Sequence, residues 1–188
     1  KETFRRGNIF IQLIYINVSI FIIGTLINVF LQLFQHSIPD IFGIFALPAS
    51  FIRFFHQPWS IITYMFMHGG LLHILFNMLW LYWFGSLFLH FFPAKHLRGL
   101  YILGGILGGL LYMVAYNVFP LFNQEVAVST LVGASASVLA IVAATAYREP
   151  NYRVQLFLFG AIRLKYLALV VIGIDVLSIT SSNAGGHI

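Results

Sequence analysis

Apolar runs of membrane-spanning length dominate this chain and leave few ways to fold it. A transmembrane helix needs about 20 mostly apolar residues. Such runs extend from Ile9 to Phe34, from Gly69 to Leu89 and from Leu100 to Phe119. A fourth run, Val132 to Tyr147, closes at Arg148-Glu149-Pro150, and a fifth, Leu164 to Ile179, follows the charges Arg163 and Lys165. Pro93 and Pro120 stop the second and third, and Lys95, His96 and Arg98 are expected to form a basic turn between them. The stretch Val154 to Ile162 is expected to lie along the membrane interface. Hydrophobic residues are 60% of the 188 and charged residues 8%, against about 25% charged in soluble domains. A water-soluble globule and a disordered chain are both excluded.

Lys1 to Arg6 ahead of an apolar run imitates a signal peptide, but the run is too long and lacks a small-residue cleavage pattern, so it reads as a retained first span. The absence of cysteine excludes disulfides, thiolate metal sites and a cysteine nucleophile. The net charge is +5. No dense basic patch accompanies it, and nucleic-acid binding is not expected. The cations instead flank the spans. With the N-terminus cytoplasmic, Lys1, Arg5, Arg6, Lys95, Arg98, Arg148, Arg153, Arg163 and Lys165 fall on the cytoplasmic side and only Arg53 on the outer side, as the positive-inside rule requires. The chain is read as one multi-pass transmembrane domain, 1–188. Residues 1–8 form a cytoplasmic segment, and residues 35–67 form a long aromatic outer loop partly embedded in the membrane.

Polar residues inside a membrane are costly and tend to mark function. Four groups need explaining. His68, His73 and Asn77 lie at the outer end of the second span, with His73 and Asn77 on one helical face. His68 and His73, five apart, would lie about 140° apart on a helix. No carboxylate is near, so no metal site is expected. Gly133, Ser135 and Ser137 open the fourth span within Gly-Ala-Ser-Ala-Ser. This is either a small-residue packing seam or a serine nucleophile beside free helix-start N–H groups. Asn183 and His187 follow the fifth span, where His187 is a loop histidine or a general base. Asp175, inside the fifth span, is read as structural. Gly104, Gly105, Gly108 and Gly109 in the third span are read as a surface for close helix packing. Topology puts the first three groups at the same outer level. A serine, a histidine and amide or imidazole donors are the parts needed for acyl transfer.

These residues resemble the rhomboid family of intramembrane serine proteases over about residues 60–188. The stretch MHGGLLHILFNMLWLYWFG, Met67 to Gly85, is similar to the family's histidine and asparagine motif, and GASAS, Gly133 to Ser137, to its G-x-S-G motif. The resemblance implies an all-α, rhomboid-like helical bundle with five full transmembrane helices and the start of a sixth. It implies Ser135 as nucleophile, and His73, Asn77 and the Ser135 N–H as the oxyanion hole. His68 would be a supporting residue and Gly133 would permit a sharp local geometry. The sequence departs from the family at Ala136, usually Gly, and at Leu139, where many relatives carry an aromatic. The family's catalytic histidine stands in the sixth span, so the base is either His187 or a residue past Ile188. The expected activity is cleavage of transmembrane segments of membrane proteins by a Ser-His dyad, without metal or organic cofactor, in a bacterial cell (inner) membrane. The alternative is an inactive relative that binds such segments. A transporter or a purely structural bundle fits less well, because the polar residues gather at one depth.

Overall fold

A computed structural model describes residues 9–34, 41–156 and 160–178. Three helices are long and apolar enough to cross a membrane: α1 (Ile9–Leu33), α5 (Leu71–Phe91) and α6 (Ala94–Val118). Two shorter ones, α7 (Ser135–Arg148) and α8 (Leu164–Ser178), complete the bundle. Between α1 and α5 lie α2 (Ile41–Phe45), strand β1 (Leu47–Pro48), α3 (Phe51–His56) and α4 (Ser60–Thr63), which tightens into a 3-10 turn at Tyr64–Phe66. Strand β2 (Thr130–Leu131) precedes α7, and β3 (Arg153–Leu156) and β4 (Gly160–Arg163) connect α7 to α8. Side chains such as Ile23, Leu26, Leu33, Leu72 and Leu111 stand exposed along the long helices. In water that surface would be untenable; in lipid it is the solvent-facing surface, and the chain is an integral membrane protein.

Proline sets the joint between α5 and α6. Pro93 cannot donate a backbone N–H, so it ends α5 and caps α6 from an extended conformation. The helix resumes at Ala94. The sequence placed a basic turn here; instead Lys95, His96 and Arg98 form the first turns of α6, which starts six residues before Leu100. The stretch Val154 to Ile162, expected along the interface, takes a form that the spans alone did not predict. Its described residues form an antiparallel pair, with Arg153 opposite Arg163 and Val154 opposite Ile162. Alternating polar and apolar residues on one strand allow that pairing. The fourth span begins at Ser135 rather than Val132, because Thr130–Leu131 are drawn into pairing with Leu47–Pro48.

The glycines of α6 decide the centre of the bundle. A Cβ on Gly104 would strike Ala140, and one on Gly108 would strike Ala136. Gly105 faces Met65 and the Ser137 hydroxyl, and Gly109 faces Leu47, Ile61 and Tyr64. The four-residue repeat of small side chains on α6 thus meets a four-residue repeat on α7, and the two backbones approach closely. Helix α5 also packs on α7, and α1 packs on α5. The buried side chain of Asn17 on α1 donates to the Leu13 carbonyl at 2.8 Å and to the Tyr101 hydroxyl at 3.1 Å, and Tyr101 donates in turn to the Met65 carbonyl at 3.2 Å. That chain fastens α1, α6 and the 3-10 turn together.

The connection between α1 and α5 is knitted rather than loose. Trp59 Nε1 donates to the Ile44 carbonyl at 2.9 Å, Thr63 Oγ1 to that of Phe45 at 2.7 Å and Gln57 Nε2 to that of Ala46 at 3.0 Å. Arg53 Nη1 reaches the Ala127 carbonyl at 3.0 Å. Its apolar residues Ile52 and Phe55 nonetheless point outward.

Candidate functional site

The site begins where two glycines break the approach to α5. Met67 is extended, Gly69 and Gly70 bend, and the helix starts at Leu71. His68 therefore lies outside the helix that carries His73, and the helical angle expected between the two rings does not apply. The rings instead meet edge to face, with centroids 5.1 Å apart. His68 is buried, and its ring nitrogens have no well-aligned hydrogen-bond partner among the described residues, only a weak approach to the Phe66 backbone. Burial first, and the neighbouring His73 second, push its imidazole down to about 4 from the usual 6.5. The His68 ring is therefore neutral at physiological pH.

His73 is the pivot. On one side it faces His68. On the other it lies against Gly133, where a Cβ would fall 2.7 Å from His73 Nε2. Gly133 has φ of +122°, a conformation L side chains rarely adopt. Two separate constraints, backbone angle and contact with the imidazole, thus require glycine here. The turn is held by Tyr64, whose carbonyl accepts from the Gly133 N–H at 2.9 Å while its hydroxyl donates to the Gly105 carbonyl at 2.6 Å. Nδ1 of His73 is buried without a hydrogen-bond partner among the described residues. Asn77, one turn below, is buried and donates from Nδ2 to the His73 carbonyl at 3.0 Å. A carboxamide nitrogen carries two hydrogens, so one donor is left over.

Directly after Gly133, Ala134 caps α7 and Ser135 is its first residue. The first backbone bond of that helix runs from the Val138 N–H to the Ala134 carbonyl at 2.9 Å. The N–H groups of Ser135, Ala136 and Ser137 precede it and have no acceptor within the helix. The two serines differ in surroundings. Ser137 is fully buried against α6, its hydroxyl 3.9 Å from Met65 Sδ. Ser135, two positions and roughly 200° around the helix, is half-buried. The structure thus brings Gly133 and the imidazole of His73 together at the start of the helix that carries Ser135, with His68 edge-on to His73 and Asn77 a turn below. Asn183 and His187 lie outside the described residues. So does the side chain of Asp175, whose backbone falls within α8. Among the described residues no group of three or more His, Asp or Glu could hold a metal ion.

Two supporting residues escaped the sequence. Tyr64 reads as one aromatic among many, and only its contacts show it clasping the site. Asn17 carried a usable signal, a lone amide in an otherwise apolar span.

Comparison with known proteins matches the Rhomboid domain to residues 56–188. The chain is also similar to RHOMBOID-like protein 12, mitochondrial, of Arabidopsis thaliana, with 28% identity over 133 residues. That match covers 66% of this chain and 40% of the plant protein, so the chain spans well under half the length of that relative.

Proposed function

This chain belongs to the rhomboid family of membrane proteins, and on that footing we propose that it is an intramembrane serine endopeptidase that cleaves transmembrane segments of other proteins. The observation that carries the reading is the contact of the His73 imidazole with Gly133, two residues before a serine at the start of α7. Packing alone accounts poorly for it. Buried polar atoms are nearly always hydrogen-bonded, and each one left unmet costs about 1–3 kcal/mol. His73 Nδ1 is in that condition beside the serine-bearing turn, and the His68 nitrogens have only a weak contact with the Phe66 backbone. Water or a peptide carbonyl would satisfy them.

In the proposed reaction Ser135 Oγ attacks the scissile carbonyl carbon, and the base, His187 or a residue past Ile188, takes the hydroxyl proton. The carbonyl oxygen becomes the oxyanion and is met by the Ser135 N–H, His73 and the spare amide hydrogen of Asn77. Each well-aimed donor is worth about 3 kcal/mol in the transition state. The base returns its proton to the leaving amine, and water hydrolyses the acyl-enzyme by the same route in reverse. His68, held neutral by burial, supports His73 and leaves the local charge unchanged. The fully buried Ser137 is the control serine. The N-terminus and the basic helix ends are assigned to the cytoplasm, in a bacterial inner membrane. The outer connection, 35–67, is assigned to the outer leaflet, where Ile52 and Phe55 would meet lipid.

The test is labelling with a fluorophosphonate probe in detergent, on this chain and on one extended past Ile188. Labelling that disappears in Ser135→Ala and persists in Ser137→Ala supports the dyad. Labelling of the extended chain alone moves the base beyond Ile188. A folded, unlabelled protein in both cases replaces the protease with a relative that binds transmembrane segments without cutting them.

A further inference from the structure

The basic end of the bundle, opposite the Ser135 end, carries a second feature. A cavity of about 570 Å³ lies between the last two turns of α5, strand β3 and the start of α8. Its volume is within the range of about 300–1,000 Å³ typical of ligand sites. One wall is apolar, with Trp83, Leu87 and Leu167; the other is polar, with His90, Tyr152 and Arg153. His90 Nδ1 lies 2.9 Å from the Ser86 carbonyl, which makes Nδ1 the donor and leaves Nε2 as the ring's other polar atom. The Tyr152 ring stands edge-on to Phe91 at 5.4 Å and ties the strand to the end of α5.

The charge at this end is unbalanced. Arg153 and Arg163 are direct cross-strand partners in the β3–β4 pair. Directly opposite residues share a face, and like charges placed so repel. Among the described residues neither guanidinium has a hydrogen-bond or ion-pair partner, and Arg148 and Lys165 flank the strand pair in sequence, with Glu149 the one acid between 148 and 165. A planar guanidinium pair is well suited to phosphate oxygens. Anionic lipid headgroups gather at basic pockets between transmembrane helices.

We propose that this cavity binds one anionic phospholipid, an acyl chain lying along Trp83, Leu87 and Leu167 and the phosphate held at the rim between Arg153, which lines the cavity, and its cross-strand partner Arg163, which lies outside the lining. A soluble anion would have no use for the apolar wall. A transmembrane helix, about 10–12 Å across with its side chains, would have no use for the paired arginines. The inference is independent of the protease reading, because it uses none of the Ser135 site.

Delipidated protein in detergent is titrated with phosphatidylglycerol or phosphatidylcholine carrying brominated chains. Tryptophan quenching and thermal stability are both read, and Trp83→Phe identifies the signal from the cavity. Phosphatidylglycerol is expected to quench Trp83 at tenfold or more lower concentration than phosphatidylcholine, and to raise the melting temperature. Arg163→Gln is expected to abolish that preference while leaving the lipid-free protein as stable as the wild type or more so, since it removes a like-charge contact. Arg153→Lys should keep part of the preference. Equal quenching by the two lipids overturns the proposal. So does an Arg163→Gln protein that keeps the full response to phosphatidylglycerol, or a transmembrane peptide that displaces the lipid whatever its headgroup.

Discussion

Gly133 has the narrowest tolerance of any residue around the site. Its φ of +122° is strained for any side chain, and its missing Cβ makes room for His73 Nε2. Gly133→Ala is expected to cost about 1–3 kcal/mol from backbone strain alone, read as a lower melting temperature, together with loss of probe labelling as His73 is displaced. His68 gives a pH signature. Burial favours the neutral ring, so the unfolded imidazole gains its proton near 6.5 and the folded one only near 4. Stability is complete above 6.5 and falls as the pH drops towards 4, by about 3 kcal/mol over that interval. Melting curves from pH 7 to 4 should show this slope, reduced in His68→Phe. A variant with an unchanged slope would mean that His68 is solvated. The residue types at both positions stand plainly in the sequence, whereas their contact does not. Whether His68 extends the helix of His73 depends on where Gly69 and Gly70 bend the chain, and a helical angle was the wrong geometry for a residue ahead of that bend.

At the level of elements, the glycine face of α6 was readable from its spacing alone, because small residues four apart have little other use in a lipid-facing helix. Its partner was not, since Ala136 and Ala140 look like ordinary helix formers until they are seen against Gly108 and Gly104. Gly108→Val is expected to wedge α6 from α7 and cost about 1–3 kcal/mol. Gly99, on the same helix with open space at its Cβ position, should behave oppositely: Gly99→Ala is expected to stabilise by about 0.5–1 kcal/mol. Thermal melts of the two variants in one detergent check the contrast. The β3–β4 pair was not legible, because a short apolar stretch between charges fits an interfacial segment as well as a hairpin. The strand pair β1–β2 was hidden for another reason. Its paired residues are far apart in sequence, Leu47 with Leu131 at 84 positions and Pro48 with Thr130 at 82, and a pair of residues on each side leaves no periodic trace.

For the molecule as a whole, hydropathy indicated the membrane and the long spans, and the distribution of Lys and Arg indicated an orientation. Because the chain has no cysteine, that orientation can be read with single introduced thiols. Gln124→Cys should react with a membrane-impermeant maleimide on intact bacterial cells, and Lys95→Cys only after permeabilisation; the reverse pattern would invert the assignment. The length of α7 has a consequence for selectivity. Fourteen residues rise only about 21 Å, against a hydrocarbon core of about 30 Å, so with its basic end at the membrane surface this helix starts well below the opposite surface. Under the proteolytic reading the reactive hydroxyl then acts as a ruler. The bond it reaches in a passing segment is chosen by depth first and by side-chain identity second, so that moving a substrate vertically in the bilayer would move the cut along its sequence.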